Sequence, residues 1–174
     1  FGVDYHSHLG TKRGGMIIHN ADTGFQRQIH NIENTPFRTK FEDDLHKFCG
    51  SSGIGCISDT DPQPLLVRSH LGLYAISTVG LINNADALVE EYFSDHGHQF
   101  MAMSSGKVNS TELTAALINQ KDDLVSGILH AQEVIDGSMT IILLTDKGEI
   151  IAARDKMGRL PVLIGKCEDG CCVS

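Results

Sequence analysis

The sequence predicts an α+β fold, in which strands come first, helices lie in the middle and strands return at the end. Three observations support this prediction. Apolar residues alternate after Gly14-Gly15, segments with helical periodicity lie between residues 84 and 135, and β-branched apolar runs close the chain. The closing run at 140–144 is almost continuously apolar, which is typical of a strand that is covered on both faces.

In the first half of the chain, Gly and Pro separate short segments. Residues 1–13 are predicted to form a helix that ends at Gly14-Gly15, because paired glycines commonly terminate helices. A hairpin is predicted around Asp22-Thr23-Gly24. The other elements expected here are a helix with an acidic first turn (42–44) and Phe41, Leu45 and Phe48 on one face, and strands at 54–57 and 71–79.

The second half predicts three helices followed by three strands. The first helix starts near Asn84 and ends at Gly97, a candidate C-cap residue. Asn109 followed by Glu112 resembles a capping box, so the second helix is expected from there to Gln120. The remaining expected elements are a helix at 122–135 and strands at 139–145, 149–154 and 162–164.

Composition excludes several classes of function. The 174 residues are 41% hydrophobic and 21% charged, which predicts one folded domain. The excess of 22 Asp and Glu over 14 Lys and Arg gives a net charge of −8, which disfavours nucleic acid as a partner. No apolar run reaches the roughly 18 residues that span a bilayer, so we expect no membrane partner. Five cysteines without a pairing pattern favour a reducing, cytoplasmic location.

We expect neither a metal nor a cofactor. The histidine pairs 6/8 and 96/98 have i, i+2 spacing, which places both rings on one face only in a strand. Cys167, Cys171 and Cys172 would need further ligands to hold zinc, and reduced thiols are the simpler interpretation. Cys56 is a conceivable nucleophile, but its position inside a strand favours a small buried apolar residue.

Five segments, taken together and in order, resemble the class II glutamine amidotransferase domain, an N-terminal-nucleophile hydrolase fold. The closest resemblance is to the N-terminal domain of amidophosphoribosyltransferase. It implies a four-layer αββα sandwich of two mainly antiparallel sheets. The segments that carry the resemblance are 8–16, 53–55 with 63–65, 80–84, 109–112 and 152–165.

The resemblance also implies a substrate pocket, and this chain lacks several of the groups expected there. Ser58 replaces the Arg that would hold the substrate carboxylate. Val79 replaces the Asn that would complete the oxyanion hole, Thr78 replaces the preceding His, and Gly80 is retained. Ser110 replaces the carboxylate that would pair with the substrate ammonium. We therefore expect a vestigial substrate pocket at Ser58, Thr78, Val79, Gly80 and Ser110, with no catalytic residue in it.

The catalytic cysteine of that family stands at the mature N-terminus, whereas this chain begins with Phe1. The expectation is thus a domain truncated at both ends relative to the family, a pseudoenzyme that has lost its glutaminase activity and keeps a structural or regulatory role. Whether it is an enzyme stays open. One alternative is an active amidotransferase of purine biosynthesis whose nucleophile lies upstream of Phe1, and another is a pocket that holds a different small ligand.

The resemblance implies partners as well. A phosphoribosyltransferase-like domain is expected in the same protein or in a partner chain, and a homo-oligomer is expected. Residues 143–146 carry one acidic residue followed by Lys147-Gly148 instead of the paired Asp and Thr-rich loop that bind phosphoribosyl diphosphate in that family. Phosphoribosyl transfer is therefore not assigned to these residues.

Overall fold

The structure is a computed structural model that describes residues 2–10, 12–96, 100, 103–104 and 106–174. Helices and strands alternate in the order expected of an α+β fold. The helices are α1 (Gly2–His6), α2 (Phe37–Leu45), α3 (Ala85–His96), α4 (Ser110–Ile118) and α5 (Leu124–Val134). The strands are β1 (Arg13–Asn20), β2 (Gly24–Asn31), β3 (Ser52–Ser58), β4 (Leu65–Ser69), β5 (Gly72–Ile82), β6 (Met103–Ser104), β7 (Lys107–Val108), β8 (Gly137–Thr145), β9 (Ile150–Ala153), β10 (Ile164–Cys167) and β11 (Gly170–Val173).

Two antiparallel sheets form the centre of the fold. One has the strand order β2-β1-β3 and the other has the order β4-β5-β8-β9. The sheets pack face to face through Ile17, Ile54, Ala75 and Leu144, which are at most 7% exposed. Because side chains alternate between the two faces of a strand, these four residues define the inner face of each sheet.

Helices cover the outer face of both sheets, which gives the four layers of an αββα sandwich. Phe37 and Phe41 of α2 pack against Met16 and Ile57, on the outer face of the smaller sheet. On the larger sheet, apolar residues of α3, α4 and α5 join those of β5 and β8 in the largest core cluster. The expected fold class is confirmed, and no helix among the described residues is both long and apolar enough to cross a bilayer.

Some predicted boundaries are wrong, and Gly14-Gly15 shows why. These glycines lie inside β1 and do not end a helix, since α1 ends at His6. A Cβ on Gly15 would lie 1.7 Å from the carbonyl oxygen of Gln63, and one on Gly14 would lie 2.7 Å from the Phe37 ring. The glycines therefore permit close approach of other segments to the strand.

Other differences concern the ends of elements. Helix α2 begins at Phe37, directly after Pro36, so residues 42–44 lie beyond its first turn and Phe48 lies outside it. Strand β4 was not predicted, and β10 starts where the strand predicted at 162–164 was expected to end. The hairpin around Asp22-Thr23-Gly24 is confirmed. Gly97 lies outside the described residues.

Helix α4 starts where its capping residue predicts. The Asn109 side chain accepts hydrogen bonds from the backbone amides of Thr111 at 2.8 Å and Glu112 at 3.2 Å. These bonds satisfy two of the amides that have no partner within the helix. The cap fixes the start of α4 beside the end of the sheet, and this start is one wall of the candidate site.

Candidate functional site

The candidate site lies at one end of the interface between the sheets. Along this interface, Ile54 and Ala75 belong to one apolar cluster, and the next inward-facing pair is Cys56 with Ser77, whose hydroxyl hydrogen-bonds the Cys56 thiol. Two residues further along each strand are Ser58 and Val79. Because alternate residues share a face, both side chains belong to the inner faces of their sheets. Ser58 is half-buried, whereas Val79 is 53% exposed.

Gln63 fixes the loop that leads from β3 to β4 against this interface. Its side chain is 6% exposed, and Oε1 accepts hydrogen bonds from the Thr78 amide at 2.8 Å and the Ser77 hydroxyl at 3.2 Å. The Cys56 thiol lies 3.9 Å from the same oxygen. This network closes the interface beyond Ile54. Further along the two strands, Ser58 and Val79 are more exposed, and this exposed end of the interface is called the cleft below.

Thr78 does not point into the cleft. Its hydroxyl is 2.7 Å from the hydroxyl of Thr111 on α4, and both residues are at most 4% exposed. This contact lies on the face of the sheet that the helices cover, whereas the Val79 side chain lies on the other face. The structure therefore separates Thr78 from the other residues of the predicted pocket and gives it a role in packing α4.

Gly80 also faces away from Val79, and the backbone requires a glycine there. A Cβ at Gly80 would lie 1.9 Å from the carbonyl oxygen of Ser138 on β8. No side chain fits at that distance, so close pairing of β5 with β8 explains the glycine without any appeal to substrate binding.

Ser110 hydrogen-bonds a neighbouring carboxylate. Its backbone amide and its hydroxyl both donate to Oδ2 of Asp61, at 3.3 and 3.2 Å. Asp61 is 7% exposed and lies in the loop after β3. A carboxylate at the N-terminus of α4 is favoured by the helix dipole, so these contacts attach the loop to the helix.

The end of β5 is apolar on the cleft side. Leu81 shares a face with Val79 and is 65% exposed. Thr140 on β8 lies directly opposite Val79 in the sheet, and its buried hydroxyl has no hydrogen-bond partner in the described part of the chain. At position 79 the wall thus presents a hydrocarbon side chain, where the resemblance implies an oxyanion-hole amide in the family.

A family model described as a glutamine amidotransferase domain matches residues 52–174. The chain belongs to this family. The match begins with β3 and includes Ser58, Val79 and Ser110, so the residues of the cleft fall within the part of the chain that defines membership.

Solved structures share the fold of this amidotransferase domain. The glutamine phosphoribosylpyrophosphate amidotransferase from B. subtilis, complexed with ADP and GMP, superimposes with a TM-score of 0.78 at 24% identity over 98% of this chain. A structure described as the allosteric regulatory enzyme of purine biosynthesis gives a TM-score of 0.82 at 23% identity over 99%. The domain spans 37% of each of those chains. A comparison with curated proteins gives no match.

Cys56 is buried in the amidotransferase domain, as the sequence predicts. The residue is 8% exposed, and burial raises the pKa of its thiol, with the Ser77 hydrogen bond opposing the shift. A raised pKa keeps the thiol protonated, and the protonated form is not a nucleophile. The thiol's contacts are the Ile57 carbonyl, Gln63 and Ser77, none of which is a base.

The metal-ligand candidates do not converge within the described residues. Nδ1 of His6 lies 2.8 Å from the Gly2 carbonyl oxygen, and Nδ1 of His8 lies 2.8 Å from that of Tyr5, so each ring is engaged locally. Among the positions that the structure covers, no group of three potential ligands has a metal-binding arrangement. His98 and the side chain of His96 lie outside the described residues.

A separate concavity of about 260 Å³ lies between α3, α4 and α5, remote from the cleft. Leu88, Leu117 and Val134 form its apolar part, and Gln120 and His130 are on its rim. His130 Nε2 is 2.7 Å from Gln120 Oε1, which links α5 to the end of α4. This contact accounts for His130 and Gln120 by packing between the helices.

Two charged residues next to the predicted pocket positions do not follow from the sequence patterns. Asp61, in the proline-rich loop after β3, hydrogen-bonds Ser110, and Arg13, predicted at the end of a helix, lies opposite Ser58 in the sheet. In the sequence, the position of Asp61 two residues before Gln63, in the loop that connects β3 to β4, could have indicated a residue close to the sheet interface. Arg13 could have been found only by placing residues 13–15 in a strand beside β3, because its relation to Ser58 depends on strand register.

Proposed function

We propose that this chain is the glutamine amidotransferase-type domain of a protein related to amidophosphoribosyltransferase, and that it has lost glutamine hydrolysis. It serves as a structural or regulatory unit beside a phosphoribosyltransferase-like domain, in the same protein or in a partner chain. Family membership and the fold support the first part of the proposal. The side chains of the cleft support the second part.

The observation that carries the proposal is the pair of side chains at the open end of the sheet interface. Ser58 offers one neutral hydroxyl, which already accepts a hydrogen bond from the Thr60 amide at 3.2 Å. The Val79 side chain has no group that can form a hydrogen bond. Removal of one oxyanion-hole donor typically lowers the rate by a factor of about 10² to 10³, so the cleft is poorly equipped to stabilise a tetrahedral intermediate.

The test is a glutaminase assay on the full-length product, with ammonia and glutamate measured separately. An intact homologue assayed in parallel is the reference. We expect ammonia release at the level of the uncatalysed control. Turnover at a rate comparable to the homologue would refute the loss of activity and leave the fold assignment intact.

The alternative is an active amidotransferase of purine biosynthesis whose nucleophile is supplied from upstream of Phe1. The fold leaves room for it: among the described strands, β3 pairs only with β1, so its other edge can accept a further strand in either an active or an inactive domain. Sequencing the intact N-terminus separates the two functions. An exposed Cys, Ser or Thr favours catalysis, whereas Gly or an apolar residue favours the inactive domain.

A further inference from the structure

Strands β10 and β11 form a two-stranded sheet of their own, in which the turn at 168–169 joins the strands. Every residue of the two strands except Val173 is exposed. The rest of the described chain therefore leaves both faces of this hairpin open to solvent. The hairpin carries three free cysteines, at positions 167, 171 and 172. Because side chains alternate between the faces of a strand, the register decides which of these thiols lie together.

Cys167 and Cys172 share one face of the hairpin with two glycines. In the register, Gly165 is opposite Cys172 and Gly170 is opposite Cys167. Paired residues, and alternate residues along a strand, lie on the same face, so these four positions are together. The four residues are among those that line a concavity of about 320 Å³, and the glycines place no side chain in it. Sγ of Cys172 uses this space, because a Cβ at Gly165 would lie 2.8 Å from it.

Cys171 lies on the other face, although it is the direct neighbour of Cys172 in the sequence. It is opposite Lys166 in the register. The Lys166 ammonium group makes that face unfavourable for a cation, because like charges repel. The hairpin therefore has two thiols on a face without a cationic side chain, and one thiol beside an ammonium group.

The spacing of Cys167 and Cys172 suits a bridging atom better than a direct bond. The two residues are diagonal neighbours across the strands, and such pairs have Cα atoms about 7–8 Å apart, with Cβ atoms somewhat closer. A disulfide requires Cβ atoms about 3.5–4.5 Å apart, so the backbone would have to move to form one. A metal ion between the sulfurs adds two bonds of about 2.3 Å and allows a separation of the sulfurs of up to about 4.6 Å.

The two thiols decide which ion suits this face, because thiolates are soft ligands that select copper(I), zinc and iron–sulfur clusters. Zinc and iron–sulfur clusters take four ligands, and the described residues contain no group of three potential ligands arranged for a metal. Copper(I), in contrast, is satisfied by two thiolates in a linear arrangement. We propose that Cys167 and Cys172 bind one copper(I) ion between them. Binding breaks the S–H bond of each thiol, forms two Cu–S bonds and releases two protons to water, with no transfer of electrons.

The experiment is an anaerobic competition titration of the full chain against bicinchoninate, which forms a coloured complex with copper(I). We expect one copper(I) ion per chain. Cys167→Ser and Cys172→Ser should each weaken copper(I) binding by a factor of about 10² or more, because the gain from two linked ligands is lost. Cys171→Ser is the matched control and should keep the affinity, since its thiol is on the other face. The inference is overturned if the unaltered chain does not compete with bicinchoninate, if Cys167→Ser keeps full affinity, or if Cys171→Ser and Cys172→Ser lose equal affinity.

Two glycine variants test the geometry while all thiols are kept. Gly165→Ala places a methyl group 2.8 Å from Sγ of Cys172 and must displace this sulfur. We expect it to weaken copper(I) binding by about 10- to 100-fold, as is usual when a group that orients a metal ligand is changed. Gly170→Ala is the matched control on the same face and should keep the affinity, because a Cβ there has no atom within 4 Å beyond its chain neighbours. Equal affinities for the two variants would show that the thiols bind copper(I) independently of this face, which contradicts the site.

The stoichiometry tests a second arrangement of the ion. One copper(I) ion per two chains, with a dimer in size-exclusion chromatography, would place the ion between two copies and overturn the inference. Because the hairpin is exposed, all these variants should keep the thermal unfolding of the unaltered chain. The result does not depend on whether the cleft hydrolyses glutamine.

Discussion

The two faces of strand β5 differ in what covers them. On one face, Tyr74 and Ile76 are at most 1% exposed beneath the helices, and the Thr78 hydroxyl is paired with Thr111. On the other face, Ala75 is fully buried against the smaller sheet, but Val79 and Leu81 further along are 53% and 65% exposed. A single strand thus belongs to a closed core on one side and to an open cleft on the other.

This difference shows which positions the fold itself constrains. Residues on the covered face are constrained by packing density, so each substitution there has an energetic cost. Val79 and Leu81, at the exposed end of the other face, are free of that constraint. Gly80 lies between them but is constrained by the β8 backbone, because a Cβ there would lie 1.9 Å from the Ser138 carbonyl oxygen.

The largest expected effect is on the covered face. Ile76→Ala should lower the free energy of unfolding by about 2–5 kcal/mol, because it removes buried methyl groups and leaves a cavity. Val79→Ala, three residues along the same strand, is the matched control and should change stability by no more than about 0.5 kcal/mol. Denaturant unfolding followed by circular dichroism measures both.

Equal losses in these two variants would show that Val79 is covered in solution, and the contrast between the faces would then fail. A large loss for Val79→Ala alone would place a packing partner over the cleft. Either result would contradict the exposure of Val79 on which the contrast depends.

A smaller effect is expected at the hydroxyl pair on the helix side. Thr78→Val keeps the shape of the side chain but leaves the hydroxyl of Thr111, which is fully buried, without this partner. The expected loss is about 1–3 kcal/mol of unfolding free energy.

The double variant Thr78→Val with Thr111→Val sharpens this test. Replacing both partners by apolar groups of the same shape removes the buried unpaired hydroxyl, so the double change should cost less than the sum of the single changes. Additive losses would show that the two hydroxyls do not interact, and that Thr78 has another role.

How far the sequence predicts this fold is visible from particular residues. The α4 cap at Asn109 and the hairpin at Asp22-Thr23-Gly24 were predicted because their signals are local, resting on side-chain hydrogen bonds and turn chemistry. Gly14-Gly15 was misassigned because what requires glycine there is the Gln63 carbonyl, 48 residues further along the chain than Gly15. Local pattern cannot reveal a contact of that kind.

The candidate site was predictable only in part, for the same reason. Motif order proposes Ser58, Val79 and Ser110 as pocket residues, and their role stays a prediction, although all three lie within the range that the family model matches. It did not show that Thr78 packs against α4 or that Gly80 is fixed by its approach to β8, because both depend on strand alternation and pairing. The relation of Arg13 to Ser58 and of Asp61 to Ser110 arises from register and loop path, which only the folded chain supplies.

The smallest expected effect is a pH dependence of the unfolding free energy that arises in the helix layer, at His130. His130 lies on α5 and contacts Gln120 just after α4. Burial lowers its pKa, with the nearby Lys121 adding to the shift and Glu133 and Glu91 opposing it. Its ordinary pKa is about 6.5, so the unfolded chain binds this proton more readily than the folded chain does. Stability should therefore fall as pH drops below about 6.5 and recover above it. His130→Gln should flatten this slope, measured by denaturant unfolding between pH 5 and 7 (about the range over which histidine titrates), whereas exposed His46→Gln should leave it unchanged. If His130→Gln leaves the pH dependence of the unfolding free energy unaltered, other titratable groups determine it, and protonation of His130 does not destabilise the contact between α4 and α5.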